Sequence, residues 1–341
     1  MSSAVTRCRS VWTGGAPMLP PPPPSTRPRA WAAATLIPLP AYAANGVTAT
    51  DKGTFIAGGS GSILYRSTDG GQTFQQQAPP FAYPQAPAFG GGRVLLGGLS
   101  YNVVWGSDDD GESYQQISST LASQNGGHTF VYGDETWVAA AGGSYGDTNT
   151  FQYSTDGGAT WNLCGATGSG ADFTDATLCW NGSEFVAAGP KTGTSGYVAT
   201  SPDGVNWTAH PITSALSVDC CTSGAGLWVL SSSSNEYAIA DSLEAVLAQA
   251  PSLLPDAGAF AMTIVKPWVL PDGTVLMFCG SGNVQFSTDQ GATWQEDAPP
   301  WPYEPGGSTV LSAFPVAVYQ GNVVAALNNA KKIVGVRGVN C

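Results

Sequence analysis

Asp175 and Asp219 are the two side chains of this 341-residue chain best spaced to act as a catalytic pair. Each falls in a segment expected to form the innermost strand of neighbouring repeats, so both are expected to face one axial channel. Two carboxylates across a channel are the minimum for hydrolysing a glycosidic bond, one protonating the leaving oxygen while the other activates water or attacks carbon. Acids such as Asp134, Glu135, Asp256 and Glu304 fall mostly at turns, where a solvated surface carboxylate is the simpler account. Other chemistry finds less support. Gly142-Gly143-Ser144-Tyr145-Gly146 matches G-x-S-x-G, but it sits in a glycine-rich hairpin with no helix to follow, and His128 and His210 are the only histidines. The seven cysteines, Cys8, Cys164, Cys179, Cys220, Cys221, Cys279 and Cys341, show no C-x-x-C spacing, and no phosphate-binding glycine loop occurs. No metal, no cofactor and no catalytic residue are therefore expected. Most of the thiols read as buried, with Cys164 and Cys179, on consecutive strands of neighbouring repeats, the first pair to test for a disulfide.

Any such residue must be positioned by a repeat. Ser67-Thr68-Asp69-Gly70-Gly71-Gln72-Thr73-Phe74 returns as Ser154-Thr155-Asp156-Gly157-Gly158-Ala159-Thr160-Trp161 and as Ser287-Thr288-Asp289-Gln290-Gly291-Ala292-Thr293-Trp294. Looser copies begin at Ser107, with Asp109, and at Ser201, with Asp203. The aspartates are expected to accept hydrogen bonds from their own turns, the glycines to take φ > 0, and the closing aromatic to start the next strand and pack beneath the turn. Asp69, Asp109, Asp156, Asp203 and Asp289 are thus read as structural. Successive serines lie 40, 47, 47 and 86 residues apart, and the last interval, near twice the period, hides a sixth copy. Ile239–Pro251 aligns without gaps onto Ala199–Pro211, so Ser242–Gln249, helix-like by itself, is expected to be a degenerate turn and strand. An apolar strand precedes each turn, from Phe55-Ile56-Ala57-Gly58 to Val323-Val324-Ala325-Ala326, and there are seven of them. Their small and β-branched residues fit inner strands near a crowded axis. Self-similarity at a period of 40 to 50 residues signals a propeller or solenoid.

The turn phrase resembles the Asp-box of BNR-type repeats, found in sialidases, xyloglucan-degrading enzymes, photosystem assembly factors and many phage and bacterial proteins. The resemblance implies a single all-β, seven-bladed β-propeller of four-stranded antiparallel blades. A sialidase would need an arginine triad, but Arg66, Arg93 and Arg337 are the only arginines of the propeller and are not expected to converge. Xyloglucan-degrading relatives build their cleft between two propellers, and this chain has one. The resemblance is accordingly to a non-catalytic member.

Seven inner strands and six turns leave the last blade short of one strand. Residues 31–40 begin with an aromatic and end in proline, as Phe74–Pro79 does, and are expected to close that blade, giving a propeller over 31–341. Residues 1–30 differ in kind: they hold Arg7, Arg9, Arg27 and Arg29, no acid, and five consecutive prolines from Pro20 to Pro24. The rest carries the remaining 8 of 12 basic residues and all 24 acidic ones, a charge of −16 within a total of −12. Such an acidic body repels nucleic acid, and no apolar run suits insertion into a membrane. A basic, proline-rich arm reads instead as an anchor onto neighbouring protein chains of a larger assembly. Two blade connections, Ala78–Pro84 and Ala298–Pro305, hold Phe81, Tyr83, Trp301 and Tyr303 among prolines, a rim suited to a surface glycan or a protein. The expected function is a non-enzymatic structural or adhesive propeller in a virion, as a phage decoration or tail-associated protein. The alternatives are a carbohydrate- or receptor-binding lectin, then an exported (secreted or periplasmic) assembly factor or glycoside hydrolase.

Overall fold

The computed structural model describes residues 32–38, 44–59, 62–79, 81, 84–98, 101–119, 121, 128–141, 151–167, 177–189, 196–210, 212, 214, 216, 218, 220–232, 235–255, 266–270, 272–278, 284–297, 316–319, 322–327 and 332–337. They form seven separate sheets. Blade 1 comprises Ala44–Ala49, Phe55–Gly59, Ile63–Ser67 and Gln75–Gln77, hydrogen-bonded in that order, and blade 2 comprises Ala88–Gly90, Arg93–Gly98, Tyr101–Ser107 and Gln115–Ser118. Blade 3 is His128–Gly133, Thr136–Ala141, Phe151–Ser154 and Asn162–Leu163; blade 4 is Thr177–Trp180, Phe185–Gly189, Tyr197–Ser201 and Asn206–His210. Blade 5 is Cys220–Gly224, Leu227–Ser231, Glu236–Ala240 and Ser252–Leu253; blade 6 is Lys266–Val269, Val275–Phe278, Val284–Ser287 and Gln295–Asp297.

In blade 7, Val316–Tyr319, Asn322–Leu327 and Lys332–Arg337 come from the end of the chain, and the fourth strand is Ala32–Pro38. That strand pairs antiparallel with the third, Ala32 opposite Arg337 and Pro38 opposite Lys332, with one bulge between Ala32 and Thr35. The first strands of the blades are the innermost. Ala44–Ala49 lies between Val316–Tyr319 of blade 7 and Ala88–Gly90 of blade 2, and the row continues through His128–Gly133, Thr177–Trp180 and Cys220–Gly224 to Lys266–Val269. Val324 and Ala317 of blade 7 are buried in one cluster with Val47, Phe55, Ala57 and Tyr65 of blade 1, so the last sheet packs on the first.

The apolar segments seen in the sequence are second strands rather than inner ones; a further strand lies between each and the axis. Their composition follows from burial on both sides. A blade is a sheet sandwiched between two others, so alternate side chains both meet apolar surface, and Phe55, Ile56 and Ala57 are all fully buried, as are Val94, Leu95 and Leu96. Outer strands such as Gln75–Gln77 meet water and are polar.

Two features depart from the sequence expectation. Leu243–Ala248 is a helix and not a degenerate turn and strand; the outer strand follows it at Ser252–Leu253. Ser242 caps it by accepting the Ala245 N–H, every residue within it except Val246 is a good helix former, and Val246 and Leu247 bury themselves between blades. Blade 4 is not purely four-stranded and antiparallel. Gly165–Thr167 adds a fifth strand, parallel to Asn206–His210, and covers that blade's outer edge.

Candidate functional site

The repeated turns join third to fourth strands, and each is a knot tied by its own side chains. Ser67, the last residue of its strand, is buried; its hydroxyl donates to Asp69 Oδ1 at 2.7 Å and accepts the Gly71 N–H at 3.0 Å. Asp69 Oδ1 accepts the N–H groups of Gln72 and Thr73, at 2.9 and 3.0 Å, and Oδ2 accepts the Thr73 hydroxyl at 2.6 Å. The bonds of the serine hydroxyl to the aspartate and from the glycine N–H, and that of the N–H four residues after the aspartate to its carboxylate, recur around Ser107 and Asp109, Ser154 and Asp156, and Ser287 and Asp289. In the variant copy Asn206 replaces threonine and donates to Asp203 through both its backbone N–H and its amide.

Each knot also grips the preceding blade. Gly71, at φ +83°, leaves room for Val324 of blade 7, and a Cβ there would come within 2.7 Å of Val324 Cγ2. Gly111 makes room in the same way for Ile56 of blade 1, Gly158 for Leu95 of blade 2, Gly204 for Val138 of blade 3 and Gly291 for Ile239 of blade 5. Polar ties accompany them. Trp294 Nε1 donates to the Tyr237 hydroxyl of blade 5 at 2.8 Å, and that hydroxyl donates to the Gly291 carbonyl at 3.1 Å. The role of the aspartate is legible in the repeat, but this second use of the glycine, a contact between blades, is not.

Arg66 and Arg93 are committed in the same manner. Arg66 of blade 1 donates to the Asp110 carbonyl at 3.0 Å and lies 3.6 Å from its carboxylate, which also accepts the Thr54 hydroxyl. Arg93 grips Asp108 with two bonds, 2.5 and 2.8 Å, and reaches the Gly157 carbonyl in the knot of blade 3 at 3.0 Å. Arg66 and Arg93 thus serve different seams and do not converge. The bonds from Arg93 hold the Asp108 carboxyl below the usual carboxylate range.

Burial raises the box carboxyls, but the hydrogen bonds on both oxygens outweigh it and bring Asp69, Asp109 and Asp203 down to about 2. Asp156 and Asp289 move the same way, for the same reasons. Because these carboxylates titrate lower when folded than when unfolded, their contribution is complete above about pH 4 and disappears as pH falls toward 2. Thermal melts are expected to show a midpoint flat from pH 7 to 5 that drops below pH 4, with solvent screening keeping each aspartate's share small. Asp156→Asn should flatten part of that drop.

The knots and the turns between first and second strands, two to five residues long, occupy one end of the blades. The opposite end receives the connections from each outer strand to the next blade, which run from nine to eighteen residues between blades 1 and 7, whereas Ala32–Pro38 reaches Ala44–Ala49 of blade 1 through five. Long connections over a rigid scaffold are where binding sites are built. Phe81 belongs to one of them. Its ring stacks on Trp105 of blade 2, centroids 5.9 Å apart and planes at 27°, and it is half-buried. The chain beyond it is pinned to the far ends of two second strands: the Gln85 N–H donates to the Gly97 carbonyl at 2.8 Å, Pro84 bridges to Gly98, and a Cβ on Gly58 would overlap the Gln85 carbonyl. Tyr83, Trp301, Tyr303, Asp175, Asp219, the Gly142–Gly146 motif and Arg7, Arg9, Arg27 and Arg29 lie outside the described residues. Cys164 and Cys179 are both free and do not form a bond. The Cys164 thiol donates to the Gly204 carbonyl at 3.2 Å, and burial pushes it up to about 12; Cys179 faces blade 5 instead.

Seven blades, five of them knotted onto the preceding blade, and one end carrying the long connections define a β-propeller. A sequence profile of the BNR/Asp-box repeat matches residues 152–163 and 285–296, two of the knots with their flanking strands. The chain is a propeller built on BNR/Asp-box repeats. Among solved structures, YCF48 bound to a D1 peptide is similar with a TM-score of 0.65 at 16% identity, over 91% of this chain and 98% of that one. YCF48 from Cyanidioschyzon merolae gives 0.65 at 16%, over 90% and 99%. The GH74 enzyme of Niastella koreensis gives 0.57 at 16%, over 89% of this chain but only 44% of its own length. No curated protein matches significantly in sequence.

Proposed function

We propose that this propeller is a non-enzymatic module that binds a protein partner, holding an extended segment of it on the end of the blades that carries the long connections. The asymmetry between the two ends supports this reading. One end is consumed by knots whose carboxylates and arginines are bonded to their own turns and seams, leaving recognition to the other. The propeller solved with a bound D1 peptide, similar over almost its whole length, is a precedent for a peptide partner on this fold. The propeller's charge of −16 adds a preference: a segment rich in lysine and arginine is drawn to it, an acidic one repelled. In the finer form of the proposal, residues 1–30 attach the propeller to a larger assembly, a phage virion being the instance that fits an anchor joined to a rigid body. An exported assembly factor would use the same surface.

The test is affinity selection of the full chain against displayed peptides matched in length and apolar content but differing in charge. Basic peptides should be enriched, with micromolar affinity that weakens as salt rises. Equal recovery of acidic peptides, or of none, would remove the basis for the partner reading. Hydrolysis of a polysaccharide by the chain, abolished in Asp175→Asn or Asp219→Asn, would overturn the non-enzymatic one.

A further inference from the structure

At the seam between blades 4 and 5 the helix Leu243–Ala248 stands where five other seams have a knot. The core there joins Val186, Ala188 and Val198 of blade 4 to Cys221, Leu230 and Ala238 of blade 5 and to Val246 and Leu247 of the helix. Cys179, on the innermost strand of blade 4, packs against this cluster, and its thiol is hydrogen-bonded to that of Cys221 on the innermost strand of blade 5. Neither sulfur is in a disulfide. We propose that Cys179 and Cys221 form an oxidation site, a dithiol that closes into a disulfide between blades when it meets an oxidised low-mass disulfide such as oxidised glutathione.

Two thiols in hydrogen-bond contact are within the short movement that bond formation requires. Their neighbours select the attacking sulfur. The Cys221 thiol donating to Cys179, aided by the Ser223 N–H, holds the Cys179 thiol below its ordinary range despite burial. Cys179 is half-buried, whereas Cys221 is buried, so the thiolate that forms more readily is also the one an oxidant reaches. The Cys179 thiolate attacks one sulfur of glutathione disulfide, whose S–S bond breaks to release one glutathione thiolate and leave a mixed disulfide. Cys221 then attacks Cys179 Sγ and expels the second glutathione thiolate. Two electrons pass from protein to oxidant, and the two protons of the protein thiols end on the departing thiolates. Cys164 takes no part, its sulfur being held against the Gly204 carbonyl.

The experiment equilibrates the full chain in buffers of graded oxidised-to-reduced glutathione ratio, blocks free thiols by alkylation, and maps non-reduced digests by mass spectrometry. A peptide pair joining Cys179 to Cys221 is expected to become the main linked species and to vanish on reduction. Its formation should raise the melting midpoint by roughly 5 °C, because the link closes a long loop in the unfolded chain. Cys221→Ser should abolish the pair and Cys220→Ser preserve it. Both thiols remaining alkylated at every ratio, a link to Cys220 instead, or glutathione retained on Cys179 would each overturn the proposal. Mapping of the unmutated chain decides this even if a variant fails to fold.

Discussion

Replacing Gly111 by alanine is expected to lower the unfolding free energy by about 3 kcal/mol, whereas the same change at Gly226 should cost only about 1 kcal/mol. Both glycines have nearly the same backbone, φ +78° and +77°, so the strain of placing a Cβ in the left-handed region is common to them. Their surroundings differ. A Cβ at Gly226 meets nothing within 4 Å, while at Gly111 it would overlap Ile56 of the preceding blade and crowd the Tyr114 hydroxyl. Ile56 is fully buried in the middle of its strand and has nowhere to retreat. The difference between the two variants therefore isolates the contact at the seam from the turn itself. Denaturant melts of the pair measure it, and equal losses would show that the knot serves only its own hairpin.

Removing residues 1–40 should destabilise the propeller by about 5 kcal/mol, one for each residue pair of the closing ladder, whereas removing only residues 1–30 should leave the melting midpoint unchanged. Five kcal/mol is a large part of the stability of a typical domain. The longer deletion takes away Ala32–Pro38 and leaves Lys332–Arg337 as an open edge, a template for pairing with other chains. Size-exclusion profiles and melts of both truncations test this together. If the two melt alike, the fourth strand of blade 7 contributes nothing, and the account of how the last blade is completed fails.

Much of this architecture was legible because its determinants are local and repeated. A serine, an aspartate two residues on and glycines after it specify a turn wherever they occur, so the spacing of Ser67, Ser107, Ser154, Ser201 and Ser287 yields the blade period directly. The closing strand was readable from its likeness to other outer strands. What escaped depends on context. In Leu243–Ala248 local helix propensity and a serine cap prevailed over the register of the repeat. Gly165-Ala166-Thr167 has no strand pattern of its own and becomes a strand only because an outer edge lies open beside it. The partner of Cys179 is 42 residues away in sequence, on another blade, which no spacing rule indicates. Of the rim aromatics the structure describes Phe81 alone, and its ring is already engaged with Trp105, so the sequence had identified an aromatic of the connection without its intramolecular partner.

The pairing of Ala32–Pro38 with Lys332–Arg337 joins segments that are synthesised about 300 residues apart. At about 5–20 residues per second, a ribosome needs on the order of 15–60 s to travel from one to the other. Throughout that interval the first-made strand has no hydrogen-bonding mate, and blade 1 lacks the Val324 methyl that fills the space beside Gly71. Blades can form one by one as they emerge, but the final cooperative step must wait until Lys332–Arg337 has left the ribosome. A nascent chain stalled within the last blade should thus be far more sensitive to protease, and more dependent on chaperones, than the loss of so few residues would imply.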